Sequence, residues 1–213
     1  MRTVALAALL LAAVPSAGIA APCVPDSLAG YIGLGAGGCT IANATFANFT
    51  SAAAPLATEI DPLMIFVDPL AGPGSVGVSF QLIGAAAAGE VKGNGVGYSV
   101  SGPTLVGREL GLAGTSVIPD GVVTALQFAP GPLLVFDIGI DADLFEAEAL
   151  IPATFFDIFT EITLDGGLAG FAGLDVEVTE NFLVPEPASL AVLGMGLAAV
   201  GWRRRRRSSG SWT

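Results

Sequence analysis

The chain has 213 residues, of which 13% are charged, with 8 Lys+Arg against 19 Asp+Glu and no histidine. Six of the eight cations (Arg2 and Arg203–Arg207) and only one acid (Glu186) lie at the two ends, so the part between carries a formal charge of −16. That charge argues against binding nucleic acid or an anionic lipid surface, which need cationic faces. The lack of histidine excludes Ser-His-Asp and Cys-His catalysis and removes the commonest general base.

The N-terminus opens with Met1-Arg2-Thr3, followed by an apolar stretch of 11 residues from Val4 to Val14. Pro15, Ser16, Ala17 and Gly18 break it, and Gly18-Ile19-Ala20 places small residues where a signal peptidase reads. The stretch is too short to span a membrane. Residues 1–20 therefore read as a signal-peptide helix removed by signal peptidase, with cleavage between Ala20 and Ala21.

Residues 21–184 have a length suited to one domain. Cys23 and Cys39 are the only cysteines. In an oxidising compartment they are expected to form a disulfide. Free thiols or a metal-ligand pair are the alternatives, and a two-Cys metal site needs further ligands in a chain without histidine. No cofactor is expected.

The rest of this region reads as β. Val76, Val78, Phe80 and Leu82 alternate on one face, as a half-buried strand requires, and Gly95 to Val100 alternates in the same way. Ile60–Val67, Leu105–Leu112, Gly121–Phe128, Leu133–Ile140, Phe155–Leu164 and Leu174–Val178 are further strand candidates. Asp68 to Gly74, Pro119-Asp120-Gly121 and Asp165-Gly166-Gly167 read as loops or turns. Gly93-Asn94-Gly95-Val96-Gly97 lacks the lysine and following helix of a phosphate loop and reads as a turn. Ser27–Leu34 and Leu144–Leu150 carry helical signals. About eight to ten short strands predict an all-β fold, a single antiparallel β-sandwich of jelly-roll-like form.

The densest acidic cluster is Asp137, Asp141, Asp143, Glu146 and Glu148. Two carboxyls suffice for a glycosidase, but the region has two tyrosines and no tryptophan to stack sugar rings. Ca²⁺ takes oxygen ligands, yet Asp141-Ala142-Asp143 lacks the glycine and terminal glutamate of a calcium loop. A solvated acidic face is the preferred reading, and no catalytic or metal site is assigned.

The C-terminus reads Val184-Pro185-Glu186-Pro187, then an apolar run of 15 residues (188–202), then five arginines (203–207). The run is roughly 22 Å long as a helix. That is shorter than the usual span of about 20 residues, and snorkelling arginines lengthen its reach. Arginines are retained on the cytoplasmic side, leaving 208–213 as a cytoplasmic tail. Pro185 and Pro187 keep the preceding residues extended, a form a processing enzyme's cleft accepts.

Pro185-Glu186-Pro187, the apolar helix 188–202 and the Arg203, Arg204, Arg205, Arg206, Arg207 block resemble a PEP-CTERM sorting signal over 185–207. The resemblance implies export from a Gram-negative bacterium and recognition by an exosortase, with removal of the tail near the motif. It implies transit through the inner membrane, held by the C-terminal transmembrane helix, and delivery to the cell surface or extracellular matrix. Exopolysaccharide and biofilm association follow from the same resemblance. The Cys23 and Cys39 pair around a short helix, followed by Phe46-Ala47-Asn48-Phe49, resembles the opening of PEP-CTERM cargo domains. The expected function is a non-enzymatic surface or matrix protein. The alternatives are a carboxylate-based secreted hydrolase with the same signal, or a domain permanently anchored in the membrane.

Overall fold

A computed structural model describes residues 20–118, 120–128, 131–139 and 141–185. The elements run β1 (Ala21–Pro22), β2 (Asp26–Ser27), α1 (Leu28–Gly33), β3 (Cys39–Ile41), β4 (Ala44–Ala53), β5 (Ile65–Gly72) and β6 (Ser75–Ala87). They continue with β7 (Val91–Ile118), β8 (Val122–Phe128), β9 (Pro132–Asp137), β10 (Ala142–Asp143), β11 (Phe145–Asp165) and β12 (Phe171–Leu183). The all-β sandwich expected from the alternation is what forms.

Two strands are far longer than expected. β7 has 28 residues and β11 has 21, and β11 pairs antiparallel along almost its whole length with residues 91–111 of β7. Their other partners change midway. The first half of β7 pairs with β4 and its second half with β12, while the second half of β11 pairs with β8. The hydrogen-bonded sheet thus folds over on itself. Layer one is β3–β4–β7–β11–β8–β9–β10, and layer two is β2–β5–β6–β12–β7–β11.

The corner lies at Gly102 of β7, where φ is +141°. A Cβ there would also sit 2.6 Å from the Asn43 carbonyl oxygen, so glycine is required on both counts. Opposite it, β11 bulges around Ala153, the device that bends a strand.

Between the layers lies one apolar core. Phe46 of β4 meets Phe182 of β12 at 6.3 Å between ring centroids, and Phe80 of β6 meets Tyr98 of β7 at 6.1 Å. Val76, Val78, Phe80 and Leu82 all point inward and are buried, as their period of two requires. Ser27 caps α1 through its hydroxyl, which accepts from Gly30 N. Tyr31 of α1 packs edge-on against Phe49.

Several readings are corrected. Leu144–Leu150, with its helix-forming Leu, Ala and Glu, is strand: residues 145–149 pair with 107–111 of β7. Tertiary pairing overrides a weak helix propensity there. The glycine-rich Gly93–Gly97 segment is not a turn but the start of β7, and Asn94 is fully buried. Its side chain accepts from Ile60 N and donates to Ile60 O, substituting for a strand partner. β5 runs on through Asp68 to Gly72, so the turn is confined to Pro73 and Gly74. The sheet is not wholly antiparallel, because β1 pairs parallel with β3.

Cys23 and Cys39 form a disulfide across a separation of 16 residues. Closing a loop of this length restricts the unfolded chain by about 3 kcal/mol. Cys23→Ser with Cys39→Ser is expected to lower the unfolding free energy by about that amount in guanidinium titrations without changing the far-ultraviolet spectrum.

Candidate functional site

The C-terminal exit is built by β12, which lies in layer two with β6 on one side and β7 on the other. The pairing continues to its last residue, Leu183 opposite Ser75 and Gly107. Val184 N then donates to Gly74 O at 2.8 Å. Val184 and Pro185 line a cavity of about 160 Å³ with Ala42, Asn43, Gly74 and Ser75. No linker separates the sandwich from Pro185, the first residue of Pro-Glu-Pro. Glu186, Pro187, the apolar run 188–202, Arg203–Arg207 and 208–213 lie outside the described residues. Among the described residues no helix is long and apolar enough to cross a membrane.

The N-terminal end is tied to the same ribbon. Ala21 and Pro22 pair with Cys39 and Thr40, and Cys23 N donates to Thr40 O at 2.9 Å. Residues 1–19 lie outside the described part, and Ala20 is its first residue. Because β1 runs parallel to β3 with Ala21 opposite Cys39, Ala20 leaves toward Gly38, away from the Ala42–Asn43 hairpin that borders Val184 and Pro185.

The acidic cluster is not simply a solvated face. Asp137 accepts from the Thr115 hydroxyl and from Gly139 N. Glu146 accepts from Leu134 N at the free edge of β9. Glu148 receives Arg108 through Nε at 3.1 Å and a terminal nitrogen at 2.7 Å. Asp141 and Asp143 alone are exposed without such a role in the sheet. Two of the five carboxylates, Asp137 and Glu146, thus stitch β9 onto β7 and β11, while Glu148 holds Arg108, whose guanidinium also reaches Gly131 in the β8–β9 turn. Among the described residues no group of three or more His, Cys, Asp or Glu is placed to hold a metal ion.

Behind the exit lies a polar cluster that alternation did not reveal. On the inner face of β12, Val176, Val178, Glu180 and Phe182 are all fully buried. The Tyr98 hydroxyl donates a short hydrogen bond to Glu180. Arg108, fully buried on β7, donates to Gln127 of β8 at 3.3 Å and to the Gly131 carbonyl. Burial pushes the Glu180 carboxyl above its usual range. The Thr160, Tyr98 and Gln127 side chains and the Arg108 charge pull it only part of the way back. Glu180 Oε1 and Thr160 Oγ1 are buried without a well-formed hydrogen bond. Burial and Glu180 together push the Tyr98 phenol well up. At the other end, burial first, then Asp68 and Asp26, raise Tyr31 to about 12, and its hydroxyl donates to Val24 O at 2.9 Å.

The model of the PEP-CTERM protein-sorting motif matches residues 183–206. The chain thus carries a PEP-CTERM sorting signal, and that signal begins on the last residue of β12. Among curated proteins none matches. One solved structure that matches is TmCBM61 in complex with beta-1,4-galactotriose, at 11% identity and a TM-score of 0.30, covering 63% of this chain and 88% of that one. The fold assignment rests on the strand pairing described above.

Stability against pH reports on Glu180. Its folded pKa is raised above the unfolded value of about 4.5, so its contribution is fully present below that value. It is lost as pH rises through the folded pKa. Glu180→Gln, which cannot ionise, is expected to flatten this part of the profile and to gain stability over the parent at alkaline pH. Urea unfolding at stepped pH checks it, and parallel profiles for the two proteins would contradict it.

Proposed function

We propose that this chain is a non-enzymatic exported protein, processed at both ends and held at the cell surface or in the extracellular matrix. The PEP-CTERM signal supports export and exosortase recognition. The observation that carries the reading further is the direct passage from β12 into the motif. Val184 is still hydrogen-bonded to Gly74, so a cut at Pro185–Pro187 leaves every strand intact. A cut even a few residues earlier would remove Phe182 from the core.

With its charge of −16 the released domain is soluble and self-repelling. Association with exopolysaccharide, and through it with a biofilm, completes the proposal.

The non-enzymatic reading is supported by the roles of the acidic side chains. Asp137, Glu146 and Glu148 are engaged with Thr115, Leu134 and Arg108, so these three are committed to holding the sheet together.

Intact mass of the protein from wild-type cells, and from cells lacking the exosortase, tests the proposal. The expected species begins at Ala21 and ends between Val184 and Pro187 in the surface or matrix fraction, and this end is lost without the enzyme. A full-length tail in the membrane fraction of wild-type cells would instead establish a permanent anchor.

A further inference from the structure

The outer face of layer one carries a feature that sorting does not explain. Phe155, Asp157, Phe159 and Glu161 follow one another on the solvent side of β11, each step about 7 Å. Phe155 is 54% exposed and Phe159 41% exposed. Phe128 of β8 pairs directly with Phe159. Their ring centroids lie 5.9 Å apart, and Phe128 is also 41% exposed. Large aromatic rings left in water on a sheet face mark an interaction site more often than a folding need.

The glycine run of β7 shapes this face. Gly97 is the cross-strand partner of Phe159, and Gly95 is the next residue on the same side. A Cβ on Gly95 would meet the end of the Phe159 ring at 2.3 Å. The two missing side chains leave a trough in which the ring lies down across β7. A ring laid against the sheet offers a flat apolar surface.

The charged groups on this face are carboxylates. Asp157 and Glu161 flank Phe159, and neither joins an ion pair among the described residues. The two cations of the described region are engaged elsewhere. Lys92 bonds Ala85 O and Glu90, and Arg108 is buried. A face of rings and carboxylates without a cation repels a polyanion. It suits a ligand with flat apolar faces and hydroxyl donors at its edges, since hydroxyls form strong hydrogen bonds to carboxylates.

We propose that Phe128, Phe159 and Phe155, with Asp157 and Glu161, form a binding face for a neutral polysaccharide. This rests on the surface or matrix reading above and names the chemistry of the polymer. Sugar rings stack on Phe159 and Phe128, and their hydroxyls donate to Asp157 and Glu161.

Affinity electrophoresis of the full chain through gels containing hydroxyethylcellulose or galactomannan tests this, with alginate as the anionic control. Retardation is expected in at least one neutral gel and not in alginate. Phe159→Ala is expected to raise the dissociation constant about tenfold. Phe159→Leu keeps the bulk but not the ring and should weaken binding too, which covers the case in which the alanine variant fails to fold. Gly95→Ala, whose new Cβ displaces the ring, should act likewise. Leu168→Ala, in the turn before β12, should change nothing. No retardation in either neutral polymer, or undiminished retardation of folded Phe159→Leu, overturns the proposal. A protein that is trimmed and sorted but not retarded refutes this face and leaves the sorting account standing. One that is retarded but keeps its tail in the membrane does the reverse.

Discussion

The structure depends on the placement of its last strand. β12 is hydrogen-bonded on both sides, to β6 and to β7, and its inner face carries Val176, Val178, Glu180 and Phe182 into the core. Its partners on β6 lie about a hundred residues earlier in the chain. Such distant pairing closes late, because loop-closure entropy is lost before the contacts repay it. Layer two cannot close until the chain has been supplied up to Leu183, the residue at which the sorting motif begins. Fold and address are therefore adjacent in sequence and mechanically coupled: what holds β12 in place also presents Pro185.

The long strands β7 and β11 explain how one hydrogen-bonded sheet makes two layers. Gly102 and the bulge at Ala153 turn the ribbon, and the polar cluster lies between the layers it joins. Arg108 crosses from β7 in layer two to Gln127 in layer one and reaches out to Glu148 at the rim. Glu180 and Tyr98 join the layers deeper in. Burying charge of this kind costs more than an apolar packing of equal volume. Here it fixes which strands face each other, because each bond joins two different strands.

Much of this was legible in the sequence. Period-two runs marked β6 and the start of β7, the cysteine pair marked the start of the domain, and the proline motif with its arginines marked the end. The extent of β7, β11 and β12 was not legible, for physical reasons. Glu180 occupies an inward position that alternation reserves for apolar residues, so β12 appeared to end near Val178. Arg108 interrupts the inward row of β7 in the same way. Leu144–Leu150 has helix-forming composition, and its strand is set by β7 beside it. Asn94 among glycines looked like a turn, yet it bonds to the Ile60 backbone in the core. The face around Phe159 was hidden because nothing local shows that Gly95 and Gly97 lie beside it. That follows only from the register of β7 with β11.

Native-state hydrogen exchange of the processed protein tests the central claim most directly. If β12 is the strand on which layer two closes, its amides from Val176 to Leu183 are protected to the same free energy as those of β7 and exchange only on global unfolding. The Val184 amide, bonded to Gly74, marks where protection ends. Exchange of β12 at markedly lower free energy than β7 would contradict the account. The last strand would then be a detachable edge, and the sorting motif would hang from it rather than from the fold.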